Sequence, residues 1–272
     1  MRERVTEDTG KRSFRLLWVF LGIVFLLVFV SLSLKIFQVV RKSTFDGRHR
    51  FVVLLISNER SEVISLEPGV NVFRLVLSSK TTKKDLAAKF SLPIDGVVET
   101  EHSFSKGDHV ASILLQIVLD PRTTYDSVTF FDIFRMYLST FRLPKREILS
   151  ALLTTSSTKE FPVSLKKYFV DKGIVGEKQV IAVENGAGVS GLAQKFEQTI
   201  ELLGANVVSV TTARETQQPT YIFYSGKKTY TVHRLERLLH QQAEEGNTGV
   251  ADILVILGRR SLTDDFFATL RT

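Results

Sequence analysis

The stretch Leu16–Leu34, LLWVFLGIVFLLVFVSLSL, runs for nineteen residues without a charge and is bounded by Arg15 and Lys35. As an α-helix rising ~1.5 Å per residue it covers nearly the whole ~30 Å hydrocarbon layer of a bilayer, and in lipid the helix satisfies its own backbone N–H and C=O groups. A buried core helix would carry a polar face, which this segment lacks. A secretory signal would have an apolar region of only ~7–15 residues before a small-residue cleavage site, and SLSLKIFQ matches that poorly. The segment therefore reads as an uncleaved anchor whose partner is the lipid bilayer. Its flanks balance, with Arg2, Arg4, Lys11, Arg12 and Arg15 before it and Lys35, Arg41, Lys42, Arg48 and Arg50 after it. Charge bias alone does not orient it. A fifteen-residue tail is the simpler piece to leave inside, so the expectation is a cytoplasmic amino terminus with the folded remainder extracytoplasmic.

The rest of the 272 residues can build cores, since 44% of the chain is hydrophobic, 24% is charged and only six residues are proline. Part of the net charge of +7 flanks the apolar segment, where positive charge meets lipid phosphates. No zinc-finger, RNP or basic-zipper pattern accompanies it, so nucleic acid is not an expected partner. Without cysteine the chain has no disulfide, thiolate metal site or cysteine nucleophile. The five histidines show no H-E-x-x-H, and His233 and His240 lie seven positions apart, two helical turns, too far to share a zinc ion. No G-x-S-x-G elbow occurs. No catalytic residue, metal ligand or cofactor is assigned.

The fold class expected is α+β, an α/β sandwich arrangement behind one transmembrane helix. Residues 1–15 read as a tail, 16–36 as the anchor and 37–49 as a juxtamembrane linker. A mixed α/β middle domain follows over 50–153. RFVVLLIS (50–57), EVISL (62–66) and VNVFRLVLS (70–78) suggest a three-strand meander turning at Pro68-Gly69, with the nearly continuous apolar first run buried on both faces. KKDLAAKFSLP, HVASILLQIVL and SVTFFDIFRMYLSTF read as helices, and in the last Phe130, Phe131, Phe134, Leu138 and Phe141 form one stripe expected to face the core. The polar run Thr154–Lys159 opens a linker assigned to 154–175, ahead of a C-terminal domain over 176–260 and a tail over 261–272.

That C-terminal domain contains Gly186-Ala187-Gly188-Val189-Ser190-Gly191, the spacing of a dinucleotide-binding turn, between a strand and a helix whose Leu192, Phe196, Ile200 and Leu203 share one face. Ser190 is placed as N-cap and Gly204 as the left-handed residue at the helix end. The acidic residue a dinucleotide site wants ~20 positions on is absent; Ser209-Val210-Thr211-Thr212 stands there. With TYIFYS, YTVHRLERLLHQQ and DILVILG downstream, the order is β-α-β-β-α-β, which suits a compact split-βαβ sandwich. The glycines then serve a sharp turn, and the exposed N–H groups at the helix start are a candidate anion contact.

VIAVENGAGVSGLAQKFEQTIELLGANVVSV, YIFYSGKK and ADILVILGRR together resemble the LytR C-terminal domain of the LytR-CpsA-Psr cell-envelope family over about Gln179–Arg260. The resemblance implies a signal-anchor helix with extracytoplasmic domains, while the glycine turn and helix start make Asn185, Gly186, Gly188, Ser190 and Gly191 the binding candidates. Family catalytic domains transfer glycopolymers from an isoprenoid pyrophosphate carrier, implying arginines on the pyrophosphate and aspartates on magnesium. Upstream, Arg60-Ser61-Glu62 falls where the family has Arg-Ser-Asp, which adds Arg60 as a binding candidate, and SLPIDGVVE resembles a family segment. Ser78-Ser79-Lys80-Thr81 stands in place of the family's Pro-Arg-Asp-Thr, without its arginine or aspartate. Residues 50–153 therefore read as a degenerate, non-catalytic relative in which Arg60 and Glu62 form a surface pair. The expected partner is a cell-wall polymer or another envelope protein, with glycopolymer phosphotransfer as the alternative activity.

Overall fold

The structure, a computed structural model, describes residues 5–105, 107–153 and 161–263. The polar run Thr154–Lys159 lies outside them, as does most of the expected C-terminal tail. Helix α1 (Val5–Arg41) contains the apolar segment, and its stretch Leu17–Lys35, of mean hydropathy 2.8 and wholly unburied, is long and apolar enough to cross a membrane. A separate compact unit begins at Thr44.

That unit is built on two sheets. The first contains β1 (Phe51–Ile56), β2 (Ser61–Glu67), β3 (Asn71–Leu77), β4 (Gly96–Glu99), β5 (Thr124–Asp126) and β6 (Ile148–Leu153), in the order β5-β4-β1-β2-β3-β6. β1 to β3 form the expected antiparallel meander, and the Val70 N–H closes its Pro68-Gly69 turn on the Glu67 carbonyl. β4 joins β1, and β6 joins β3, in parallel. Helices α2 (Lys83–Phe90), α3 (Val110–Leu119) and α4 (Phe130–Phe141) cover the faces. Strand alternation sets the layers: Phe51, Val53 and Leu55 pack with residues of α3 and α4, whereas Val52, Leu54 and Ile56 pack with Leu86 and Phe90 of α2 and with Phe161 and Phe169. β1 is thus buried on both faces.

Helix α4 corrects the expected core stripe. Its inward residues are Asp132, Ile133, Met136 and Thr140, while Phe130, Leu138 and Phe141 are 47%, 38% and 70% exposed. Asp132 decides the rotation. Its carboxylate accepts the Thr129 N–H and hydroxyl in a capping box, and it also accepts the Phe45 N–H, so it must face inward. Buried capping chemistry overrides the wider aromatic stripe.

After α5 (Val163–Lys166) and α6 (Lys172–Glu177), the second sheet uses β7 (Val180–Asn185), β8 (Asn206–Thr212), β9 (Tyr221–Tyr224), β10 (Ala243–Glu245) and β11 (Ile253–Leu257), with α7 (Leu192–Leu202) and α8 (Tyr230–Leu239) packed on it. The expected strand–helix order holds with one short strand added. The spatial order is β10-β9-β11-β7-β8. β7 and β8 pair directly in parallel, so β7–α7–β8 is a closed βαβ unit rather than a split one. The helix ends as the sequence indicates, with Gly204 at φ +91° and the Gly204 and Ala205 N–H groups donating to Glu201 and Ile200 carbonyls, a Schellman motif.

The described part of the segment read as a linker, residues 161–175, is packed. Phe161 meets Phe169 edge-on with centroids 5.3 Å apart, Tyr168 stacks on Phe73 at 4.3 Å, and Leu202 of α7 enters the same core. Buried Arg50 holds this segment in place by donating to the Tyr168 and Val170 carbonyls at 2.7 and 2.6 Å and pairing with Glu67 at 2.5 Å. Arg234, 1% exposed on α8, forms a two-pronged ion pair with Asp95, whose Oδ2 also accepts the Val52 N–H. Burial works against the Arg234 charge, and Asp95 more than offsets it, leaving the guanidinium pKa raised. Removing one partner strands a buried charge. Asp95→Ala or Arg234→Ala should each cost about 3–5 kcal/mol in urea unfolding, with the double variant costing clearly less than the sum. Additive costs would refute the coupling.

Candidate functional site

The glycine turn joins β7 to α7. Asn185 folds the turn onto itself: its Nδ2 donates to the Val189 carbonyl at 2.7 Å and its Oδ1 accepts the Ala187 N–H at 3.2 Å. Gly186 is buried, donating to the Leu257 carbonyl and accepting from the Gln217 N–H. A Cβ there would sit 3.0 Å from Gln217 Cγ and 3.1 Å from the Leu257 oxygen. Close approach at this glycine is thus used by the chain's own loop before β9. Gly188 and Gly191 need their left-handed φ of +72° and +80°. Gly191 is the N-cap of α7, so Ser190, expected in that role, falls one position earlier and is exposed; the αL conformation of Gly191 shifts the helix start to Leu192. Of the five turn candidates, Gly188 and Ser190 are the exposed ones. Register places Thr211 and Thr212 beside Glu184 and Asn185, so the end of β8 carries no acidic group for a ribose.

Arg60 belongs to a different constellation on the first sheet. Its expected surface pairing with Glu62 is corrected, because Glu62 is 1% exposed and lies between two arginines. Arg60 Nε donates to Glu62 Oε1 at 3.0 Å, and Arg74 grips both carboxylate oxygens at 2.8 Å. The cross-strand register of β2 and β3 brings this about. Arg60 also donates to the Phe104 carbonyl, and Arg74 donates to the carbonyls of Ser105 and Asp108 at 2.9 and 2.7 Å. Together they fasten Phe104, Ser105 and Asp108 around one shared carboxylate. Sequence reasoning missed Arg74, which lies opposite Ile64 and diagonal to Glu62; an arginine within a largely apolar strand was the available signal. The structure does not bring Arg60 together with the glycine turn.

A third polar cluster joins the two sheets. His49 stacks on Tyr230 with ring centroids 3.6 Å apart, and the Tyr230 hydroxyl donates to Asp171 at 2.6 Å. Burial and neighbouring Asp171 push the Tyr230 phenol well up. Glu177 caps α8 from outside, accepting the Tyr230 and Thr231 N–H groups at 2.8 and 2.7 Å and the Thr231 hydroxyl at 2.6 Å. Although desolvation opposes its charge, hydrogen bonds from Thr231 and Tyr230 hold the carboxylate below its ordinary range. Among the described residues no three His, Asp or Glu side chains gather in a metal-binding group.

Because the Glu177 pKa is lowered on folding, its stabilisation is present above the ordinary value of 4.5 and lost as pH falls through the lowered one. Glu177→Gln should therefore lower Tm at neutral pH, and the gap from wild type should close on acidification. A gap that stays constant with pH would contradict the cap. For the glycines, Gly188→Ala, in a roomy position, should cost about 1 kcal/mol through φ alone, whereas a Cβ at Gly258 would overlap the Pro219 carbonyl, so Gly258→Ala should cost several-fold more in the same melts.

No curated protein and no solved structure matches this chain. Residues 179–260 match the family model described as LytR cell envelope-related transcriptional attenuator, over the segment from the start of β7 to just beyond β11. The chain carries a LytR C-terminal domain in its second sheet, and with the apolar helix α1 this fits a membrane-anchored cell-envelope protein.

Proposed function

We propose that this chain is a single-pass envelope protein with a cytoplasmic amino terminus, and that the unit from Thr44 onward lies outside the membrane. There it holds a cell-wall polymer or another envelope protein without catalysing a reaction. The observation that carries this reading is the LytR C-terminal domain on a chain with an apolar anchor. Residues 50–153 fit a degenerate relative of the LytR-CpsA-Psr catalytic domain, with Arg60 just before β2 and Glu62 on it where that family places its arginine and aspartate. The binding reading is favoured over phosphotransfer because Arg60 and Arg74 already direct donors at Glu62 and at backbone carbonyls. A pyrophosphate entering there would have to displace a buried carboxylate, and losing one preorganised donor alone typically costs ~10²–10³ in turnover. Within the glycine turn, exposed Gly188 and Ser190 are the positions an external ligand would meet first.

The full-length protein in nanodiscs should co-sediment with purified wall sacculi or cross-link to a defined envelope protein, and protease added to intact cells should digest the region after Thr44. Retention on neither, or a protected carboxyl-terminal region in intact cells, would sink the reading. Magnesium-dependent turnover of an isoprenoid pyrophosphate glycan, abolished by Arg60→Ala, would instead establish the transferase.

A further inference from the structure

Helix α4 presents an aromatic face on which Phe130, Leu138 and Phe141 are exposed. Phe130, Phe134, Leu138 and Phe141 recur at helical spacing on the side away from Met136 and Thr140, and Tyr137 lies at the edge of that face, half-buried against the core. The rings of Phe134, Tyr137 and Phe141 neighbour one another, with centroids 6.4 Å apart for Phe134–Tyr137 and 6.0 Å for Tyr137–Phe141. A contiguous apolar strip of this kind marks an interaction surface rather than the scattered exposure found on any protein.

Charge and connectivity identify what covers it. From Thr129 to Arg146 the one acidic residue, Asp132, is buried, whereas Arg135, Arg142, Lys145 and Arg146 are basic. Arg142 and Arg146 are exposed just beyond the helix, Arg146 also meeting Glu147 at 3.3 Å. Aromatic rings beside exposed arginines are the composition that settles at a lipid headgroup boundary, the rings among acyl chains and the guanidinium groups on phosphates. The connection from α1 to this helix is short. Only Lys42 and Ser43 separate the end of α1 from Thr44, whose hydroxyl donates to the Ser127 carbonyl, while the next residue, Phe45, donates its N–H to Asp132 and receives Arg135 on its carbonyl. At ~3.3–3.6 Å per residue, the covalent tether from Arg41 to the α4 docking point spans roughly 10 Å. On the reading of α1 as an anchor, we infer that α4 is an interfacial helix: its aromatic face rests in the outer boundary of the bilayer that α1 crosses, with Arg142 and Arg146 on anionic headgroups.

The test uses the full chain in nanodiscs of phosphatidylcholine and phosphatidylglycerol, with or without brominated acyl chains. Trp18, the single tryptophan, lies within the apolar segment, so its quenching in wild type reports the anchor. In a Trp18→Phe background, Phe141→Trp should give blue-shifted emission quenched about twofold or more by the brominated lipid. Adding Arg142→Glu and Arg146→Glu should remove most of that quenching. Quenched Trp18 with an unquenched reporter at position 141 overturns the interfacial helix while leaving the anchor intact. A blue-shifted but unquenched reporter means that protein, from a second copy or a partner, covers the face, and also overturns it. If Trp18 itself is unquenched, the anchor reading fails first. Full quenching after the double charge reversal removes the headgroup contact from the inference.

Discussion

Asp95 and Arg234 meet in a site from which water is nearly excluded, and through them two sheets that share no strand become one compact unit. A buried ion pair of this kind adds little net stability over well-packed apolar residues, but it penalises any arrangement that separates its members. The pair therefore acts on geometry. Asp95 also accepts the Val52 N–H at the start of β1, and Arg234 projects from α8, so the position of the second sheet is fixed relative to the strand at the centre of the first. Arg50, Glu67 and the carbonyls of Tyr168 and Val170 repeat the principle beside it, and the Phe161–Phe169–Phe73 cluster fills the space between.

Charged and glycine-rich chemistry that suggests ligands elsewhere is largely consumed internally here. The G-x-G-x-x-G turn sits between strand and helix as a dinucleotide turn would, yet Asn185 closes it and Gln217 occupies the approach that Gly186 opens. Arg60 and Arg74 have the chemistry to hold a pyrophosphate, but Glu62 and three carbonyls engage them. In both places the residues of the motif fasten the fold. The aromatic face of α4 is the reverse case, since residues whose composition belongs in a core were left outside.

Much of the architecture was legible from local pattern. The meander, the doubly buried β1, the strand–helix order after Gly176 and the Schellman end at Gly204 follow from alternation, helical spacing and turn chemistry within a few residues of each other. The resemblance over Gln179–Arg260 was legible for the same reason. What local pattern misjudged was competition between surfaces: α4 offers two apolar stripes, and its rotation depends on Asp132 finding the Phe45 N–H eighty-seven residues away. The Arg60–Glu62 pair looked like a surface contact because Arg74 and the carbonyls of the 104–108 stretch reach it only through sheet pairing and loop return.

The sequence by itself determined that nineteen uncharged residues form a helix able to cross a bilayer, that two α/β layers follow it, and that the second carries the LytR C-terminal pattern. Those properties depend on hydrophobicity and periodicity, which are additive along a chain. Only the tertiary structure decided that residues 161–175 are packed, that β7 and β8 are direct neighbours, that the candidate arginines are engaged, and that Phe130 and Phe141 of α4 are exposed. Each of these depends on which distant polar group satisfies a buried charge or N–H, and that choice is made only when the whole chain has closed around it.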